Sequence, residues 1–251
     1  MTFIRTLRAE LLKLRRTLAF WMVLAAPALV VALVFLTFYE RSAFYAKGGR
    51  PLWESLQRTA FMFWSVLMLP LYVTLQSSLL AGLEHSEQRW RNLLAMPVPR
   101  WAIYWAKLAI LCAMLVVSSV LLNLGCILDG VLLRTLQPRL LFPAPVPWAA
   151  AWQSAAITAM AALAIVAIQH WVSLRFSAFA ASAGFGIAAT IVAAILVNSS
   201  TYGPWWPWCL PAQMMSPSAG RVSHALWYSG IAALCASVIG SLEFSRREIR
   251  G

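Results

Sequence analysis

Charge is what this sequence has least of: charged residues fill 11% of its 251 positions and hydrophobic ones 61%. Soluble domains carry roughly a quarter charged residues, and a single water-soluble core cannot absorb so much apolar surface. Lysine is confined to Lys13, Lys47 and Lys107, which follow Leu12, Ala46 and Ala106. A phosphate-gripping loop of the form GxxxxGK[ST] needs glycine before its lysine, so this chain has no machinery of that kind for hydrolysing ATP. Its cysteines, Cys112, Cys126, Cys209 and Cys235, form no CxxC pair. They read as small apolar residues rather than metal ligands, with a Cys126–Cys209 disulfide at the outer face as the alternative. No metal, cofactor or catalytic residue is expected on this chain.

What is present is a series of long apolar runs. The bilayer hydrocarbon core is about 30 Å thick, so roughly 20 apolar residues make a spanning helix. Six such runs are predicted, at 18–39, 59–83, 102–128, 148–172, 177–198 and 225–244. The expected fold is all-α and polytopic, one transmembrane domain over 1–251. The first run is too long for a cleavable signal peptide and reads as a retained helix. The span centres offer neutral polar groups such as Thr74, Gln76, Asn123 and Thr158, and Lys107 is expected to snorkel to the headgroups. An ion- or proton-coupled transporter usually keeps ionisable groups at the midplane.

Lys and Arg near the helix ends set the orientation. With the N-terminus inside, the cytoplasmic segments hold Arg5, Arg8, Lys13, Arg15, Arg16, Arg89, Arg91, Arg100, Lys107, Arg175, Arg246, Arg247 and Arg250. The other face keeps Arg41, Lys47, Arg50, Arg58, Arg134, Arg139 and Arg221, so both termini are predicted cytoplasmic. The formal charge of +12 then sits beside anionic lipid and calls for no nucleic acid partner.

Ahead of the first span, Phe3, Ile4, Leu7, Leu11 and Leu14 share a helical stripe, with the basic residues mostly off it. Residues 1–17 therefore read as an amphipathic interfacial helix. Residues 40–57 read as a polar loop. Residues 199–223 carry Trp205, Trp206 and Trp208 among Pro204, Pro207, Pro211 and Pro217. Proline ends helices and tryptophan favours the interface, so this stretch is expected in the outer headgroup layer, as an aromatic belt or as a gate. Small residues recur every four positions at Ala150, Ser154, Thr158 and Ala162, and again at Ala180, Gly184 and Ala188. That spacing lets helix backbones approach, within one bundle or across a dimer.

The segment between spans two and three is the most informative. Trp90, Leu93, Leu94 and Pro97 fall at helical spacing, Glu87, Gln88, Arg91 and Asn92 point elsewhere, and Pro97 and Pro99 stop the helix. This is a short amphipathic cytoplasmic helix, lying on lipid or on a protein partner. The rival class is an integral membrane enzyme or a secondary transporter without an ATPase partner. Its candidate residues are thin: His85 with Glu84 and Glu87, His170, and His224, none in a pattern that specifies a metal or a nucleophile.

The chain resembles the ABC-2 type permeases in Glu10-Leu-Leu-Lys13-Leu-Arg-Arg before span one, in Glu84 opening the loop, in Arg89-Trp90-Arg91-Asn92-Leu93-Leu94 followed by Pro97-Val98-Pro99-Arg100, and in Lys107 of the next helix. It is most similar to the branch with the lantibiotic-immunity and bacitracin-resistance permeases. The resemblance implies a six-helix exporter subunit of the bacterial cytoplasmic membrane, paired with a second permease, identical or homologous. Two separate ABC ATPase subunits would carry the ATP and Mg. It places Glu10 and Lys13 in the interfacial helix and Glu84, Glu87, Arg89, Trp90, Arg91, Leu93, Leu94 and Arg100 in a coupling helix on the ATPase. Short re-entrant helices before the last span would fall in 199–223.

The charge distribution yields a first prediction. A cysteine placed at Gly49 is expected to react with a membrane-impermeant thiol reagent from the side opposite the termini, and reaction only from the cytoplasmic side contradicts the topology.

Overall fold

The computed structural model describes residues 2–14, 17–47, 51–85, 99–143, 145–215 and 218–246. Among these the chain is all helical. It comprises α1 (Thr2–Leu14), α2 (Leu18–Glu40), α3 (Ser42–Lys47), α4 (Leu52–Phe63), a π-helical turn (Trp64–Met68), α5 (Leu69–His85), α6 (Arg100–Leu136), α7 (Trp148–Ala161), α8 (Leu163–Arg175) and α9 (Phe179–Leu196). Two 3₁₀ turns (Gly203–Trp205 and Pro207–Cys209), α10 (Leu210–Gln213) and α11 (Ala219–Arg246) complete it. Six helices are long and apolar enough to cross a membrane: α2, α4 running into α5, α6, α7 running into α8, α9 and α11.

Three boundaries differ from the sequence reading. Span two begins at Leu52 rather than 59, and a short helix, Ser42–Lys47, occupies part of the expected 40–57 loop. Helix α6 is 37 residues long, about 55 Å against about 30 Å of hydrocarbon, so Asp129, just past the span expected at 102–128, is on the helix and 3% exposed. The last helix begins at Ala219 rather than 225. Each misjudged boundary lies where a helix extends into polar sequence beyond the hydrocarbon, which an apolar-run criterion truncates.

Helix α2 shows how the bundle is built. Its buried stripe is Ala19, Val23, Ala26, Val30, Val34 and Phe38, at helical spacing, while Leu24, Leu29, Leu33 and Leu36 face outward. The buried stripe packs on α6. Lipid is as apolar as leucine, so close packing and internal hydrogen bonds, rather than hydrophobicity, hold such helices together. Pro27 has no N–H and leaves the Val23 carbonyl without its helical donor. Ser118 Oγ on α6 lies 3.1 Å from that oxygen and 2.8 Å from the Tyr72 hydroxyl. Nearby, Gln76 Nε2 donates to the Ala19 carbonyl at 2.8 Å.

Span four is interrupted between Ala161 and Leu163, and the repair comes from α11. Ser229 Oγ lies 3.1 Å from the Ala164 N–H nitrogen and 2.9 Å from the Ala161 carbonyl, bridging the two sides of the break. Irregular backbone is tolerated at membrane depth when protein groups satisfy it in this way.

The two faces of α9 divide its small residues by role. Gly186 lies against Thr74 of α5, so close that an added Cβ would come within 2.2 Å of Thr74 Oγ1 and 2.8 Å of its Cβ. Ala180, Gly184 and Ala188 face outward, and a Cβ at Gly184 meets open space. Gly186→Ala is therefore expected to destabilise the protein in detergent by about 1–3 kcal/mol, with Gly184→Ala neutral. Equal melting temperatures for the two variants would contradict the α9–α5 packing.

Candidate functional site

Helix α1 packs on α6 through a charge cluster. Glu10 Oε1 accepts from Lys13 Nζ at 2.6 Å, and Glu10 Oε2 accepts from Lys107 Nζ at 2.5 Å. Glu10 is 2% exposed and Lys107 1%. The expectation that Lys107 snorkels to the headgroups is therefore corrected: its ammonium turns inward to a carboxylate supplied by α1. The apolar stripe of α1 is divided between two surroundings. The buried residues are Thr6, Glu10 and Leu14, with Phe3 and Leu7 half-buried, while Ile4 and Leu11 face outward with Leu12. The helix thus lies with an apolar flank turned away from the bundle and its one carboxylate turned in. A signal for this was present, because Phe3, Leu7, Glu10 and Leu14 fall on a single helical face, and a carboxylate on such a face needs a buried partner.

The start of α6 lies at the same end of the bundle. Glu84 belongs to the last turn of α5, whereas Glu87, Arg89, Trp90, Arg91, Leu93 and Leu94 lie outside the described residues. Arg100 opens α6 and its Nη1 lies 3.5 Å from the Ser245 carbonyl near the end of α11. One helix over, Glu243 of α11 accepts from Trp171 Nε1 at 2.8 Å and pairs with Arg175, both on α8. His170 is 1% exposed, with Nε2 3.2 Å from the Tyr104 carbonyl of α6. Charged and polar contacts therefore tie α1, α6, α8 and α11 together at this end.

At the opposite end the three tryptophans go to different places. Trp206 Nε1 donates to the Ala189 carbonyl of α9 at 3.1 Å, and Trp208, 3% exposed, meets Phe185 of α9 edge-on at 5.7 Å. Trp205 is 61% exposed and meets His224 and Tyr228 of α11 edge-on. Short helical turns occupy this stretch, at Gly203–Trp205, Pro207–Cys209 and Leu210–Gln213. The Cys126 and Cys209 thiols are free. Burial pushes the Cys209 thiol up to about 11, so it stays protonated, with Sγ 3.5 Å from the Ala193 carbonyl. The disulfide alternative is not realised. Among the described residues no group of His, Cys, Asp and Glu side chains is arranged to hold a metal ion.

Six apolar helices, a charged helix packed along one end and short turns at the other define a polytopic membrane component. A family model described as ABC-2 family transporter protein matches residues 6–195, and the chain belongs to that family. No curated protein and no solved structure matches it. The match covers the α1 charge cluster and five of the six spans, and stops just before the tryptophan-rich segment.

Removing one partner of a buried ion pair costs about 3–5 kcal/mol, because the other charge is left uncompensated. Lys13 stays paired with Glu10 when Lys107 is lost, so Lys107→Met alone is expected to destabilise the protein by less than that, about 1–3 kcal/mol, and Glu10→Gln with Lys107→Met together by less than the sum of the two single losses. Additive losses in thermal denaturation of the two singles and the double would show that the pair is not coupled.

Proposed function

We propose that this chain is the permease subunit of an ATP-driven exporter, working with two ABC ATPase subunits that dock at the α1 end of the bundle. The observation that carries the reading is the Lys13–Glu10–Lys107 cluster, which fixes α1 to the first turns of α6. Residues 84–100 join α5 directly to those turns. A push on that connection from a partner below reaches α6 and α1 as one body, and the contacts of Arg100 and Glu243 extend it to α11 and α8.

The second permease, identical or homologous, packs on the outward faces of α2 and α9. Both helices have only a third of their apolar window buried, and Ala180, Gly184 and Ala188 offer a surface that a partner helix can approach closely. The cargo is amphipathic or lipophilic, such as a cationic peptide antibiotic or a lipid, taken from the membrane or the cytoplasm. The setting is the bacterial cytoplasmic membrane, and the physiological role is that of the lantibiotic-immunity and bacitracin-resistance branch. Trp205, Trp206 and Trp208 are the candidates for a gate at the outer mouth, with an aromatic belt as the alternative.

The test is co-purification. An aromatic anchor at a protein contact costs about 2 kcal/mol or more on truncation, roughly a thirtyfold loss of affinity. Trp90→Ala and Leu94→Asp are expected to lose the ATPase partner and export while still inserting in the membrane. Full retention of both in either variant would place that helix on lipid and remove the docking reading.

A further inference from the structure

At the end of the bundle away from α1, a cleft of about 170 Å³ opens between α4, α7 and α10. Its mouth carries Glu54 and Arg58, both exposed and one turn apart on α4. Gln57 stands between them on the same helix, 8% exposed, and its buried Nε2 has no hydrogen-bond partner among the described residues. A buried amide donor left unpaired costs about 1–3 kcal/mol, so a primary amide is an expensive choice here unless something accepts from it. The apolar walls are Phe61 of α4 with Met214 and Met215 at the end of α10. Met is a deformable wall residue suited to chains of variable shape. On α7, Ser154 lines the cleft and Thr158, one turn deeper, has a buried hydroxyl also without a partner among the described residues.

The depth of the cleft narrows the ligand. The apolar span that starts at Leu52 is 32 residues long, about 48 Å against about 30 Å of hydrocarbon, so roughly 9 Å, or six residues, project at each end. With the span centred on the hydrocarbon, Glu54 and Gln57 fall at headgroup level, Arg58 at the edge of the hydrocarbon and Phe61 about 5 Å within it. At the mouth the cleft presents an anion and a cation one turn apart, with the buried amide donor of Gln57 set back between them and apolar walls beyond. That order matches an ammonium-bearing phosphate ester on a glycerolipid: ammonium to Glu54, phosphate to Arg58, ester carbonyl to Gln57 Nε2, and the first acyl carbons against Phe61 and the methionines.

We propose that this cleft is a binding site for an ammonium-bearing phosphate ester, the headgroup of a phosphatidylethanolamine-type lipid. The site lies within one protomer, needs no ATPase, and does not depend on which face of the membrane is outside.

Native mass spectrometry of the delipidated full chain in detergent, titrated with phosphatidylethanolamine or phosphatidylglycerol, tests the proposal. The wild type is expected to hold phosphatidylethanolamine more tightly. Glu54→Gln should remove that preference, a shift of about threefold for an exposed ion pair, and Arg58→Gln should weaken both lipids. Gln57→Leu should weaken lipid binding while leaving the lipid-free melting temperature unchanged or higher, since it deletes an unpaired buried amide; this separates binding from folding. Soluble glycerophosphoethanolamine supplies the remaining arm. Displacement of the lipid by it at equal concentration supports the headgroup chemistry with a free phosphoester as the source, and failure to displace supports a membrane lipid. Equal affinity for the two lipids in the wild type, or a preference that survives Glu54→Gln, overturns the proposal.

Discussion

A carboxylate and an ammonium at the edge of a bilayer, each almost wholly withdrawn from solvent, have few stable arrangements. Charge removed from water must be paired and hydrogen-bonded, and either partner left alone is strongly destabilising. In this protein Glu10 and Lys107 come from helices 97 residues apart in sequence. Their contact fixes α1 at one position on the bundle. Once α1 is held there, Lys13 completes the cluster from the next turn, and the outward residues Ile4, Leu11 and Leu12 are turned away from the bundle. The position of α1 on the first turns of α6 follows from this pair.

The rest of the bundle is governed by the related rule that backbone polar groups in lipid must be satisfied by protein. Pro27 frees a carbonyl and Ser118 lies within reach of it. The break in span four exposes backbone on both sides and Ser229 meets both. Gly186 admits Thr74 and brings α9 onto α5. These contacts join non-adjacent segments of the chain, which is how six helices with few charges acquire a definite arrangement without a hydrophobic driving force between them.

Much of this was legible in the sequence because the bilayer imposes a length on each spanning helix. The six spans come from run length, whereas the family and the short helices before the last span come from the resemblance carried by the motifs at Glu10, Lys13 and 84–107. What was missed has a common origin. Apolar runs end before helices do, so a run-length reading stops short of the first turns of α4, the last turns of α6 and the start of α11. An apolar-stripe reading places α1 by its hydrophobic residues, whereas its bundle-facing side is chosen by Glu10. Lys107 looked like a residue near a helix end, because its partner lies in another element and pairing between elements has no local signature. Ser229 and Gln57 were ordinary polar residues until the break and the cleft beside them were visible.

The central claim is that α1 and the first turns of α6 form one rigid unit through which motion at the 84–100 connection is passed to the bundle. Leu12 on α1 and Trp101 on α6 are both outward-facing, 64% and 51% exposed, and so accept spin labels without disturbing the charge cluster. Electron–electron distance measurement between these positions, with the ATPase partner bound in nucleotide-free and nucleotide-trapped states, tests the claim directly. A single narrow distance that is the same in both states, and that broadens when Lys107 is replaced by Met, is the predicted result. A distance that changes with nucleotide, or one indifferent to the loss of Lys107, would contradict it.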